Sequence, residues 1–125
     1  MLEQTYLEKD ELQKLVDIAF AGCSKGRVPE ARTVFAKILE AVPGYTPAKV
    51  GLAFTHVVVD DFPPADEMLT DLLGEDPDND DARGFLVLSK FLQKDGDAVD
   101  ALMGEFRDHD SAGYRLASSL NDVTR

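Results

Sequence analysis

The sequence predicts an all-α fold, built from three tandem helix hairpins and one C-terminal helix. Two observations carry this prediction. Apolar residues recur at three- and four-residue steps, as they do on amphipathic helices, and the chain matches itself when it is shifted by 34 residues. Residues 57–59 are all valine and therefore β-prone, but they lie inside this helical repeat, so no strand is expected there.

The 34-residue offset aligns turn-forming residues as well as apolar ones. It pairs two alanines and two prolines of the first hairpin with identical residues of the second: Ala19 with Ala53, Ala31 with Ala65, Pro29 with Pro63, and Pro43 with Pro77. Three rows of core positions continue into the third hairpin: Ile18, Leu52 and Leu86; Phe35, Leu69 and Met103; Ile38, Leu72 and Phe106. Chance rarely produces this combination at one offset, so the pattern indicates a repeat array.

The first hairpin is expected over about residues 12–45. The pattern Thr5-x-x-Glu8 is typical of a capping box, which would start the first helix early. Proline lacks the N–H that a first helical turn leaves unpaired in any case, so Pro29 starts the second helix, which stops before Pro43. The apolar stripe of the first helix consists of Leu12, Leu15, Val16, Ala19 and Phe20.

The second hairpin is expected over about residues 46–79 and opens at Thr46 and Pro47. Two further prolines, at positions 63 and 64, start its second helix. That helix is expected to end near Gly74, ahead of the next inter-repeat proline.

The third hairpin is expected over about residues 80–110, with helices at about 79–94 and 97–108. A last helix, at about residues 111–122, would cap the exposed end of the stack. The whole chain has the length of one compact domain, and a single domain over residues 1–125 is predicted.

The first hairpin resembles the tetratricopeptide repeat, whose pattern is W-x-x-L-G-x-x-Y, then A-x-x-x-F, then P. The residues that carry the resemblance are Leu15-x-x-Ile18-Ala19, Ala31-x-x-x-Phe35 and Pro43. The second copy reads Leu52-Ala53, Ala65-x-x-x-Leu69 and Pro77. An unrelated bundle of six or seven helices is the alternative.

The third copy departs from the family pattern, and every copy lacks its Trp and Tyr. Val99 stands where the small alanine is expected, and Ser111 stands in place of the proline. The resemblance implies a right-handed α-solenoid, in which the first helices of successive repeats line a concave groove that binds peptides or helices.

Charge and hydropathy exclude several classes of function. Acidic residues outnumber basic ones by 24 to 13, so the net charge is −11, and neither nucleic acid nor an anionic membrane surface is an expected partner. The longest uncharged apolar stretch, residues 50–59, is far shorter than the roughly 20 residues of a membrane-spanning helix. The acidic N-terminus is unlike a signal peptide and the single cysteine leaves no internal disulfide, so a cytoplasmic location is predicted.

Residues suited to catalysis or metal binding are few. His56, His109 and Cys23 have no nucleophile or base nearby in sequence, so we expect neither an enzyme nor a cofactor. The acidic run at residues 76–81 resembles the start of a calcium loop, which needs Gly at its sixth position and Glu at its twelfth. Those positions hold Asp81 and Val87, so no metal site is predicted.

The resemblance places an apolar partner-binding face on the first helices. The 34-residue offset arranges this face in three rows: Val16, Val50 and Gly84; Phe20, Phe54 and Leu88; Cys23, Val57 and Phe91. The predicted site consists of these residues without Gly84 and with the flanking Phe85. Packing within each hairpin is expected to come from other residues: Ile18, Ala19, Leu52, Ala53, Leu86 and Val87.

These apolar rows favour an amphipathic partner helix over a carboxylate-terminated peptide, because the positions that grip a carboxylate in related clamps hold Val16, Phe20, Gly51, Asp81 and Phe85. The expected function is a non-catalytic chaperone or adaptor, similar to the small tetratricopeptide chaperones of bacterial type III secretion systems, with a secretion-apparatus component as a possible partner. The alternative is a scaffold subunit that self-associates through the same face as a homodimer. The groove could also be filled by the N-terminal residues Leu2, Tyr6 and Leu7, or by the last helix.

Overall fold

The computed structural model of the protein describes residues 9–123, which contain seven α-helices and no strand. In chain order these are α1 (Lys9–Ser24), α2 (Val28–Ala41), α3 (Thr46–Val57), α4 (Phe62–Glu75), α5 (Asp80–Leu92), α6 (Gly96–Met103) and α7 (Ala112–Val123). The predicted all-α fold is therefore confirmed. The capping box and the N-terminal apolar residues lie outside the described residues: Thr5, Glu8, Leu2, Tyr6 and Leu7.

The chain divides into two compact units, and the boundary between them lies between Asp61 and Phe62. Unit 1 contains α1, α2 and α3, and unit 2 contains α4, α5, α6 and α7. The boundary separates the two helices of the hairpin predicted over residues 46–79. A single domain over residues 1–125 stays a prediction.

Unit 1 is packed around Phe35 of α2, whose side chain is completely buried. Small residues let the helices approach each other, and Ala19 of α1 and Ala31 of α2 are both buried in the same apolar cluster. On α3, a Cβ at Gly51 would overlap the Phe35 ring. The large ring therefore fills the space that the glycine leaves, which keeps the packing dense.

Unit 2 has its own core, to which α5, α6, α7 and the loop before α7 contribute Val87, Val99, Ala117 and Phe106. Two glycines allow α5 and α7 to lie close together. A Cβ on Gly84 would be 2.6 Å from the Cα of Gly113, and a Cβ on Gly113 would overlap the backbone of Asp80. Only glycine fits at these two positions without a shift of the helices.

One turn geometry ends the first helix of each hairpin. The residue at the turn has a left-handed backbone in all three copies, with φ of 92° at Gly26, 61° at Asp60 and 62° at Lys94. The N–H of the following residue donates to a carbonyl five residues back: Arg27 to Gly22 (2.9 Å), Asp61 to His56 (2.9 Å) and Asp95 to Lys90 (3.0 Å). This is a Schellman motif. Its recurrence every 34 residues shows that the repeat continues through α5.

The predicted rows of core positions differ in burial. One row is buried throughout: Ile38, Leu72 and Phe106. In another, Leu86 is 6% exposed and Leu52 is partly buried, but Ile18 is 66% exposed. The prediction that Ile18 packs within its hairpin is therefore wrong. Leu52 packs against the core cluster of unit 1, to which α1, α2 and α3 all contribute, whereas no helix precedes α1 among the described residues.

Helix α6 is shorter than predicted, because it ends at Met103 and not near residue 108. The backbone N–H groups of Arg107 and Asp108 donate to the carboxylate of Asp80, at 2.6–3.1 Å, and not to helical carbonyls. The acceptor comes from α5, which the periodicity of α6 itself does not reveal.

Candidate partner-binding surface

Two of the predicted site residues, Phe20 of α1 and Phe54 of α3, lie side by side in unit 1. Their ring centroids are 5.4 Å apart and their planes meet at 33°. Helices α1 and α3 contact each other, which brings these positions, 34 residues apart in sequence, together. Both rings are partly exposed. We refer to them as the Phe20–Phe54 pair.

The pair rests on the core of unit 1. The buried ring of Phe35 meets Phe20 edge-on, with centroids 5.3 Å apart and an interplanar angle of 71°, which is a favourable aromatic geometry. Val58 follows Phe54 by four residues and is 38% exposed, so it extends the apolar surface to the residue just after α3. The surface therefore has a rigid base and an accessible apolar edge.

A polar contact fixes the end of α3 against α2. The Oγ1 of Thr55 is buried, donates to the carbonyl of Leu52 (2.5 Å) and accepts from Nε of Arg32 (3.1 Å). The Arg32 guanidinium also donates to the carbonyl of Thr55, at 3.3 Å. Because Thr55 follows Phe54 directly, this contact holds the Phe20–Phe54 pair in place.

Four other predicted site residues of unit 1 are buried, with exposed fractions of 2% for Val16, 2% for Cys23, 5% for Val50 and 1% for Val57. Val16 and Cys23 belong to the core cluster of unit 1. The expectation that the site residues are not needed for packing is therefore wrong for these two. Helix α1 contacts both α2 and α3. Two neighbouring helices cover a wider stripe of its surface than its hairpin partner α2 would cover alone.

Cys23 illustrates the consequence for reactivity. Burial raises the pKa of its thiol, and the nearby Arg32 guanidinium opposes this only in part. The thiol therefore stays protonated at neutral pH and packs as a small apolar group.

In unit 2, the predicted site residues lie along α5, where Phe85, Leu88 and Phe91 are all partly exposed. Phe91 packs against the core cluster of the unit. Next to the turn between α5 and α6 is a cavity of about 460 Å³, whose lining includes Phe91, Leu92, Val99, Lys94, Asp95 and Asp100. Leu92 is 44% exposed. The apolar surface of unit 2 thus continues to the end of α5.

Helix α7 covers another part of the surface of α5. Gly84 is the repeat equivalent of Val16 and Val50, and it meets Gly113 of α7. Tyr114 of α7 packs against the same cluster as Phe91. The predicted groove could be filled by the N-terminal residues or by the last helix, and along this part of α5 it is the last helix that covers the surface.

A family model described as tetratricopeptide repeat matches residues 24–86, about half of the chain. The chain belongs to the tetratricopeptide-repeat family. No curated protein and no solved structure gives a significant match. Tetratricopeptide repeats are in general protein-binding modules without catalytic activity, so protein partners are the expected ligands of the apolar surfaces.

Unit 2 also carries a buried polar network that sequence reasoning missed. Asp80 and Arg83 are 5% and 4% exposed and form an ion pair at 2.6 Å. The Arg83 guanidinium donates to the carbonyl of Pro77 (2.6 Å) and lies 5.8 Å from the centroid of the Phe106 ring. Its Nε is buried without a hydrogen-bond partner. The pair joins the start of α5 to the loop before α7.

The electrostatics of Asp80 show how this network is held. Burial alone would raise the pKa of its carboxyl, but the N–H groups of Arg107 and Asp108 and the Arg83 guanidinium outweigh burial and lower it. A signal was present in the sequence, since Asp80 and Arg83 are three residues apart on one helix. The loop that supplies the other donors is 27 and 28 residues away.

The remaining candidate chemical groups have structural partners. Nδ1 of His56 lies 3.1 Å from a carboxylate oxygen of Asp61, and His109 stacks on Tyr114 with centroids 4.3 Å apart. Among residues 9–123, no cluster of His, Cys, Asp or Glu is arranged to hold a metal ion. In the same range, no helix is long and apolar enough to cross a membrane.

Proposed function

We propose that the protein is a non-catalytic binding module that holds an amphipathic helix of a partner protein on the Phe20–Phe54 pair. The observation that carries the proposal is the side-by-side arrangement of two partly exposed rings, 5.4 Å apart, on adjacent first helices. Burial of each ring by a partner is worth about 1.5–3 kcal/mol. Aromatic residues at the centre of an interface commonly dominate its affinity.

The buried members of the predicted site support the pair from below in this proposal. Val16, Cys23, Val50 and Val57 fill the space beneath the exposed surface, and a partner helix contacts Phe20, Phe54 and Val58. In unit 2, Phe85, Leu88 and Phe91 form the corresponding apolar surface on α5. Each unit offers anchors at the three- and four-residue steps that suit an amphipathic helix.

Charge favours a partner helix whose polar face is basic. The chain carries a net charge of −11. On α1, the exposed Asp17 precedes Phe20 by three residues and accepts a hydrogen bond from Gln13 at 2.9 Å. A basic partner would be attracted at long range, so its association rate would fall with added salt.

Within this function, we propose a cytoplasmic chaperone that shields an aggregation-prone helix, of the kind that serves type III secretion systems. The support is the acidic composition, the three repeats and the apolar surfaces. A secretion-apparatus component is then the proposed partner.

The test uses a synthetic amphipathic peptide with Leu and Phe at three- and four-residue steps and Lys on its polar face. We expect Phe54→Glu to weaken its binding by about 30-fold or more, since a central anchor contributes at least about 2 kcal/mol. Binding is measured by fluorescence anisotropy, with helicity and melting temperature checked for each variant.

Ala36→Glu is the matched control, because Ala36 is exposed on α2 and the substitution adds the same charge. We expect this variant to bind at least as well as the unmodified protein. Equal binding by Phe54→Glu and Ala36→Glu would mean that the peptide is held by charge alone, which would refute the proposal.

A further inference from the structure

The cavity at the turn between α5 and α6 lies beside a glycine that the other two hairpins do not have. Gly96 is the first residue of α6 and lines this cavity. The 34-residue offset places Val28 and Phe62 at the equivalent positions, where α2 and α4 begin. The third repeat therefore lacks a large apolar side chain at a position where the first and second repeats have one.

The first two repeats show what a side chain does at this position. Val28 packs against the core cluster of unit 1, and Phe62 is partly buried. Gly96 is exposed. Apart from its chain neighbours and its own helix backbone, no atom of residues 9–123 lies within 4 Å of the place where a Cβ of Gly96 would be. The cavity thus has room for an apolar side chain that position 96 does not supply.

The walls of the cavity suit such a side chain. Phe91 and Leu92, at the end of α5, and the buried Val99 of α6 supply its apolar part. Leu92 is 44% exposed, so the apolar wall is accessible from outside. The volume of about 460 Å³ lies within the range of about 300–1,000 Å³ that is typical of ligand pockets.

The charged residues around the cavity are mostly acidic. Asp95 and Asp100 line it together with Lys94, and Asp97 is in the first turn of α6. All four are exposed. The carboxylate of Asp95 is held in place, because it accepts a hydrogen bond from the N–H of Ala98 at 3.2 Å. Three carboxylates and one ammonium favour an occupant that carries positive charge next to its apolar group.

We propose that this cavity is a second binding site, which takes one large apolar side chain, Phe or Leu, from a segment of a partner protein with Lys or Arg on either side of it. The apolar side chain packs between α5 and α6, as Val28 packs on the core of the first repeat. The flanking basic residues face Asp97 and Asp100.

The termini of this chain match the cavity less well than such a partner does. Residues 1–8 contain two glutamates and no basic residue, and residues 124–125 contain no large apolar side chain. The site does not include the Phe20–Phe54 pair. It can therefore be tested independently of the function proposed above.

The probe is the peptide acetyl-Lys-Phe-Lys-amide, which is titrated into the isotope-labelled full chain and followed by NMR. We expect shifts of the backbone amides from Lys94 to Asp100 and a dissociation constant of roughly 0.1–5 mM, as suits a single anchor. Acetyl-Lys-Ala-Lys-amide lacks the anchor and acetyl-Glu-Phe-Glu-amide lacks the positive charge, so each should bind about fivefold more weakly or less tightly still.

Gly96→Leu fills the cavity from within the chain. We expect it to weaken binding of the Lys-Phe-Lys peptide by about tenfold or more. Gly74→Leu is the matched control, because Gly74 is an exposed glycine near the end of α4 with the same open space around its Cβ position. Both variants gain helix propensity, but only Gly96→Leu buries its side chain. It should therefore melt about 3 °C or more above Gly74→Leu, which should bind the peptide as the unmodified protein does.

Several outcomes would overturn the proposal. A melting temperature of Gly96→Leu at or below that of Gly74→Leu would mean that the cavity already holds residues of this chain or of a second copy. Equal binding by Gly96→Leu, or loss of binding in Phe54→Glu, would place the peptide elsewhere on the molecule. Equal binding of the Glu-Phe-Glu peptide would remove the role of the acidic rim, and no binding of the Lys-Phe-Lys peptide would remove the site itself.

Discussion

In unit 1 the buried hydroxyl of Thr55 accepts a hydrogen bond from Arg32, whereas in unit 2 the buried hydroxyl of Ser89 donates one to Asp66, at 2.5 Å. The two contacts lie at equivalent positions, since Ser89 follows Thr55 by 34 residues and Asp66 follows Arg32 by 34. Each joins the second helix of one hairpin to the first helix of the next. The contact therefore recurs at the same position of the repeat, but the hydroxyl accepts from a cation in unit 1 and donates to a carboxylate in unit 2.

The two solutions meet the same requirement, because a buried hydroxyl needs a partner. Thr55 and Ser89 are both fully buried, and a hydroxyl can either donate or accept. A cation or a carboxylate on the neighbouring helix serves equally well at neutral pH. The choice matters when the charge of the partner changes, as it does for the carboxyl of Asp66 in acid.

A second difference is the burial of charge. In unit 2, Asp80 and Arg83 are buried, whereas the described part of unit 1 buries no charged side chain. The equivalent positions in unit 1 hold Thr46, which is partly exposed, and Lys49. Unit 2 thus depends on a buried ion pair at a place where unit 1 does not.

The largest effect should come from breaking that pair. Asp80→Ala leaves the Arg83 charge buried and removes the acceptor of the Arg107 and Asp108 N–H groups, so we expect a loss of about 3–5 kcal/mol in the free energy of unfolding. The repeat-equivalent control, Thr46→Ala, should cost no more than about 1 kcal/mol. Urea unfolding followed by circular dichroism measures both. Equal losses for the two variants would show that unit 2 does not depend on its buried ion pair more than unit 1 depends on Thr46.

Much of the fold could be predicted because it follows from local periodicity. The buried row of Ile38, Leu72 and Phe106 needs only helical spacing and the 34-residue offset. Ile18 was misplaced because its burial depends on whether another helix lies against it, which its own spacing does not reveal.

The candidate site was predicted in part. The Phe20–Phe54 contact follows from equivalent positions on adjacent helices, but the burial of Val16 and Cys23 depends on how much of α1 its two neighbours cover. The three-residue spacing of Asp80 and Arg83 marks their ion pair, but the donors of Arg107 and Asp108 lie 27 and 28 residues away, so no local pattern marks the rest of the network. The left-handed turns at Asp60 and Lys94 were detectable, because both fall at the 34-residue offset from Gly26.

An intermediate effect should distinguish the two hydroxyl contacts by pH. Burial by itself would raise the pKa of Asp66, but hydrogen bonds from Ser89 and Gln93 and the Lys90 ammonium, 3.0 Å away, outweigh burial and lower it. A carboxyl whose pKa is lowered by folding stabilises the protein above its unfolded pKa of about 3.9, and this contribution is lost as the pH falls through the folded value.

Ser89→Ala should therefore cost about 1–2 kcal/mol at pH 7 and progressively less as the pH falls below the unfolded pKa of about 3.9 towards the lower pKa of Asp66 in the folded protein. Thr55→Val removes the acceptor for Arg32 and should cost a similar amount that does not change over the same range, because no carboxyl group takes part in this contact. Urea unfolding of both variants and the unmodified protein at about pH 7 and at several values below about pH 3.9 gives the comparison. A pH-independent cost for Ser89→Ala would contradict the assignment.

The smallest effect should come from the repeated turns, where hydrogen bonding is the same but the residue differs. A left-handed backbone costs an ordinary side chain about 1–2 kcal/mol, and Asp tolerates it better than Lys. After allowing for the flexibility that glycine adds to the unfolded chain, Lys94→Gly should stabilise the protein by about 0.5–1 kcal/mol and Asp60→Gly by less. Gly26→Ala, the reverse substitution in the first repeat, should destabilise by about 1 kcal/mol. Thermal unfolding of the three variants measures this order, and it would be contradicted if Lys94→Gly lowered the melting temperature, since the Lys94 side chain would then contribute more than its backbone costs.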